Sequence, residues 1–126
     1  MASRRTVVLE VPADAALLRV ARVTVASVAA ELPLTLQDVE DLRVAVDELA
    51  AVAIEGCDPA RTLRLEISVE GEALEVVGRV AGAGPLLELH PVARDLLGLV
   101  APGHELADDG TDRTFRFARR IPVSTS

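Results

Sequence analysis

The alternation of apolar and polar positions divides this chain into short strands and one-sided helices. Thr6-Val-Val-Leu-Glu-Val11 is β-branched and is followed by Pro12 and Asp14, which predicts a strand ending in a turn. From about Asp14 to Ala30, Leu17, Val20, Ala21, Thr24 and Val28 recur at helical spacing and predict a buried stripe. Arg19, Arg22, Ala26 and Ala29 fall on the opposite, outward face. Leu32-Pro33-Leu34 breaks this helix, and Thr35 with Asp38 at capping-box spacing starts a second that runs to about Ile54. Its stripe is Val39, Leu42, Val46, Leu49 and Ala53, with Glu40, Asp41, Asp47 and Glu48 off it. Gly56 and Pro59 end it.

The second half of the chain reads as strands around one helix. Leu63, Leu65, Ile67 and Val69 alternate with Arg64, Glu66 and Ser68, which is the pattern of a half-buried strand. Gly71 supplies a tight turn, and Ala73 to Val80 is its hairpin partner. Gly82-Ala-Gly84-Pro85 forces a loop. Leu89, Val92, Ala93, Leu96, Leu97 and Val100 mark a third helix opening near Pro91. Pro102-Gly103 and Asp108-Asp-Gly110 bound a further loop, Thr114-Phe-Arg-Phe-Ala118 is a last alternating strand, and the segment 121–126 is expected to be a frayed tail. The order β-α-α-β-β-α-β predicts an α+β fold: a two-layer sandwich with a mostly antiparallel sheet of about four strands and three helices on one face. One domain, residues 6–120, is expected from a chain of 126 residues.

Composition narrows the chemistry. A formal charge of −7 and only two aromatic residues argue against a nucleic-acid groove, which needs concentrated positive charge and stacking surfaces. All 13 basic residues are arginine, so neither a P-loop lysine nor Schiff-base chemistry is available. A single cysteine, Cys57, and two isolated histidines, His90 and His104, form no zinc pattern and no disulfide framework, and no metal site is expected. The longest apolar runs are too short for a membrane span and no leader pattern opens the chain, which predicts a cytoplasmic protein.

Some residues nevertheless stand together in a recognisable order. The segment Ala21-Arg-Val-Thr-Val-Ala26, the acidic helix with Ala45-Val-Asp-Glu48, the hairpin ending in Gly82-Ala-Gly84 and the closing strand occur in that sequence. Together they resemble the anti-sigma factor and serine-kinase branch of the histidine-kinase-like (GHKL) ATPase superfamily, whose fold is the Bergerat type of α/β sandwich. The resemblance implies a catalytic acid at Glu48 and a nucleotide loop carrying Gly82 and Gly84. The outward face around Arg19, Arg22 and Ala26 is by helical geometry a flat surface that can dock against another protein, and the resemblance implies that Arg22, the matching family arginine, contacts partners. It also implies a sigma factor and a STAS-type anti-anti-sigma protein as partners, and a homodimer as the working form.

The chain departs from that family where the chemistry lies. The Mg²⁺-binding asparagine one helical turn after Glu48 is Val52, whose side chain offers a hard cation no lone pair. Val80 stands where the adenine-reading aspartate belongs, no second glycine-rich lid follows Gly84, and the chain contains no asparagine. ATP with Mg²⁺ is therefore implied by resemblance only, and a regulatory protein that binds without efficient phosphoryl transfer is the expected function. Two alternatives stand beside it: an active serine kinase of a STAS partner, and a dimerisation scaffold. Taken alone, Glu48 is also an ordinary solvated helix residue, and Gly82 and Gly84 are ordinary turn glycines.

Overall fold

The computed structural model describes residues 4–122. A first strand, β1 (Arg5–Pro12), leads to a 3₁₀ turn, Ala15–Leu17, whose start is capped by the Asp14 carboxylate accepting from the Ala16 N–H at 2.9 Å. The chain continues into α1 (Leu18–Ala30) and α2 (Leu36–Ile54). The predicted capping box is present. The Asp38 N–H donates to Thr35 Oγ1 at 3.0 Å, and the Thr35 N–H donates back to Asp38 Oδ2 at 3.2 Å. Gly56 leaves the helix with a φ of 73°, a conformation that favours glycine.

Strands β2 (Thr62–Glu70) and β3 (Ala73–Val80) form the expected hairpin, followed by α3 (Pro91–Val100), β4 (Glu105–Asp108) and β5 (Arg113–Arg120). The sheet order is β1-β2-β3-β5-β4, with every neighbouring pair antiparallel. The fold class is thus the expected α+β two-layer sandwich, with a fifth strand added. β4 lies inside the segment read as a loop because a strand of 4 residues, exposed or half-buried throughout, carries too little alternation to register.

The centre of the sheet's inner face is apolar. Leu9, Leu65, Gly78, Phe115 and Leu106 pair across it in register, and Val76 and Phe117 occupy the next row. Gly78 is required there. A Cβ built on it would overlap the Phe115 ring, which crosses directly over the glycine. The outer face is polar, and its charges are matched across strands: Arg64 with Glu10 at 3.0 Å, Arg116 with Glu75 at 2.6 Å, and Arg79 with Asp112.

Helix α2 lies between α1 and α3 and over β3 and β5, so its buried surface is wider than a single stripe and takes in Ala45, Ala50, Val52 and Ile54 as well. Helix α1 is turned relative to expectation. Leu18, Ala21, Val25 and Ala29 are buried, whereas Val20 is exposed and Ala29, assigned to the outward face, is in the core. The reason is the composition of Val20 to Ala30, where alanine and valine occur on all sides. Periodicity cannot choose a face there, and close packing against α2 selects the small residues. Ile121, at the start of the predicted tail, is buried and donates its N–H to the Glu72 carbonyl at 2.6 Å; residues 123–126 lie outside the described residues.

Candidate functional site

Glu48 and Val52 sit one turn apart on α2, on a face that neither α1 nor the sheet covers. With Glu55 at the end of the same helix they form one wall of an open cavity of about 560 Å³. The other wall is the start of α3 and the residues before it, including Glu88, His90 and Ala93. His90 holds that wall in place: its Nδ1 accepts from the Val92 N–H at 3.2 Å as the helix cap, and Pro91 fills the first helical position.

The cavity is acidic. Glu48, Glu55 and Glu88 contribute carboxylates, none of them in an ion pair among the described residues, and no arginine lines it. The carboxylates do not converge: among the described residues no cluster of metal-ligating side chains has a geometry that would hold an ion. Val52 is buried against the same cavity and offers only methyl groups, which no hard cation can use as ligands.

Gly82 and Gly84 do not line this cavity. Both have positive φ, and both are tied to the turn between β4 and β5. The Gly82 N–H donates to Asp112 Oδ1 at 2.9 Å, and the Gly84 N–H donates to the Thr111 carbonyl at 2.8 Å. The donors that would cradle a phosphate are therefore spent inside the fold. The same turn holds its acids below the usual carboxylate range. For Asp112 the main cause is the Gly82 N–H and the second is Arg79; for Asp109 it is the N–H groups of Asp112 and Thr111. Val80 is fully buried in the core.

Arg113 was not singled out by sequence. It is 3% exposed, and its guanidinium sits at the C-terminal end of α2. Nη1 donates to the carbonyls of Ala53 at 3.1 Å and Glu55 at 2.6 Å, Nη2 to Pro85 at 2.9 Å, and Nε to Gly84 at 3.2 Å. The charge is met by carbonyl dipoles at a helix C-terminus, with no carboxylate involved. One signal was present in the chain: Arg113 shares the inward parity of Phe115 and Phe117.

On α1 the three predicted partner residues share one flank. Arg19 is exposed, Arg22 and Ala26 are half-buried, and Arg22 leans toward α2 with Nη1 3.8 Å from Asp47. This flank borders α2, and the most exposed side of α1 instead carries Val20, Val23, Ser27 and Ala30.

No protein-family model and no curated protein matches the chain by sequence. Among solved structures, the chain is similar to the crystal structure of the RsbU and RsbW domains of Rv1364c from Mycobacterium tuberculosis. The TM-score is 0.68 at 12% identity, and the match covers 93% of this chain and 32% of that one. The likeness is one of fold. This chain spans about a third of the length of the chain in that structure. No helix among the described residues is long and apolar enough to cross a membrane.

Proposed function

We propose that the chain is an anti-sigma-factor-like regulatory domain that works by binding rather than by phosphoryl transfer. The observation that carries this reading is the chemistry of the cavity beside α2. It offers carboxylates and the methyl groups of Val52, where a polyanionic nucleotide with its metal would need cations, an amide and free backbone donors. These residues do not fit Mg²⁺·ATP. The fold likeness to a structure that contains an RsbW domain supports the regulatory class, as do Glu48, Arg22 and the Gly82 to Gly84 loop standing in the family order.

In this reading a sigma factor docks on the flank of α1 around Arg19, Arg22 and Ala26, and a STAS-type anti-anti-sigma protein competes for it. The working form is a cytoplasmic homodimer without direct contact to nucleic acid. Exchange is governed by the difference in affinity between the two partners. Glu48 on the cavity wall favours a second reading, a serine kinase that phosphorylates the STAS partner.

Two measurements separate these readings. Calorimetric titration with Mg²⁺·ATP is expected to show no metal-dependent binding in the low micromolar range, and Val52→Asn is expected to restore affinity only in part. Tight Mg²⁺-dependent binding, with phosphate transfer to a STAS partner that is lost in Glu48→Gln, would decide for the kinase. Arg22→Ala is expected to weaken the sigma-factor complex by about 2 kcal/mol, while the melting temperature stays near wild type because the pair with Asp47 is long, at 3.8 Å, and only half-buried.

A further inference from the structure

The apolar arc of α3 is wider than the core it covers. Leu97 is fully buried and Leu96 half-buried, yet Val92 is 68% exposed and Leu99 79% exposed on the adjoining flank. Positions 92, 96 and 99 follow helical spacing, so these side chains form one stripe along the helix. Leu87, also exposed, extends the apolar surface toward the end of α2, where a Cβ on Gly56 would meet its Cδ1 at 3.4 Å. Isolated exposed apolar residues are common, but a contiguous stripe on a helix marks a surface that something covers.

The charge around the stripe selects the occupant. Glu48, Glu55 and Glu88 line the cavity at the N-terminal end of α3, and Asp95 lies exposed on the helix itself; the cation of α3, Arg94, is also exposed but by helical spacing stands on the flank away from Val92 and Leu99, and none of these groups has an ion-pair partner among the described residues. On the outer face of the sheet, by contrast, arginines and carboxylates pair with one another across the strands. A surface that joins an apolar stripe to unpaired carboxylates complements an amphipathic segment with basic flanks.

We infer that the α3 side of the molecule is a docking surface for a basic amphipathic helix of a partner protein. Its apolar face packs on Val92, Leu96 and Leu99, and an arginine or lysine reaches into the cavity toward Glu55 and Glu88. This surface lies across α2 from α1, so it does not depend on the α1 flank being a binding face. It also gives the cavity a ligand of the opposite charge to a nucleotide.

The test uses the full chain, isotope-labelled, with two short synthetic helices that share a leucine face and carry lysines in one and glutamates in the other. The lysine peptide is expected to bind at least about tenfold more tightly, to lose affinity with salt, and to shift amide resonances in 87–100 and 48–55. Val92→Ser with Leu99→Ser, and separately Glu55→Gln with Glu88→Gln, are each expected to weaken it by about tenfold with unchanged melting temperature. All four residues lie on the surface or the cavity wall, so the variants keep the fold. The inference is overturned by equal affinity for the two peptides, by no binding, by shifts confined to α1 or the outer sheet face, or by variants that bind like wild type. Concentration-dependent self-association abolished by Leu99→Ser would also overturn it, by showing that a second copy covers the stripe.

Discussion

The two sides of the last turns of α2 solve opposite problems with neighbouring atoms. On one side the Arg113 guanidinium meets the carbonyls of Ala53, Glu55, Gly84 and Pro85, and every bond is made within the chain. On the other side the carboxylates of Glu48, Glu55 and Glu88 face an open cavity with no arginine among its described lining residues. A buried charge tolerates no missing partner, because desolvation is not recovered elsewhere. A solvated carboxylate tolerates it readily and stays free to meet a partner from outside. The first region therefore holds the fold together, and the second is where binding can be built without loss of stability.

The sharpest way to break this contrast is Arg113→Met. It leaves carbonyls from the end of α2 and from the Gly82 to Pro85 loop without donors, and is expected to cost about 3–5 kcal/mol in chemical denaturation. A denaturation midpoint near wild type would mean that water replaces the guanidinium easily, and the two regions would not differ in kind. Gly78→Ala separates stability from binding. Its methyl group meets the Phe115 ring, and a loss of about 1–3 kcal/mol is expected with peptide binding at the cavity unchanged.

A smaller effect is expected from pH. Asp112 and Asp109 ionise below the ordinary carboxylate range in the folded chain, so the stability they contribute is present above about pH 4 and is lost as pH falls through their lowered values. Asp112→Asn removes part of that slope. Its melting temperature is expected to fall less than wild type's between neutral pH and pH 3, and parallel curves would show that Asp112 contributes nothing to acid sensitivity. The smallest effect is expected from Glu48→Gln and Glu55→Gln, each within about 0.5 kcal/mol of wild type in stability, since neither carboxylate has an ion-pair partner among the described residues.

Part of this arrangement was legible in the chain and part was not. Helix α2 could be bounded closely because its signals are local: the Thr35–Asp38 capping box, Gly56 at the exit and a stripe of large apolar residues. The β2–β3 hairpin followed in the same way from strict alternation around Gly71. Glu48 and Val52 could be placed on one helical face by spacing alone, and both line the cavity.

Facing and pairing were decided only by the folded chain. Helix α1 has small or β-branched apolar residues on every side, and contact with α2 alone chose Ala29 over Val20 for the core. β4 exists because β5 offers it an edge, and Gly82 and Gly84 lost their free N–H groups because Thr111 and Asp112 arrive from a distant turn. Arg113 reads as one more arginine in a strand until the end of α2 and the loop after β3 converge on it. Periods, caps and turns are set by residues a few positions apart and can be read from the sequence. The partners of a buried charge, the face of an evenly apolar helix and the fate of a loop donor depend on groups far along the chain, which only close packing brings together.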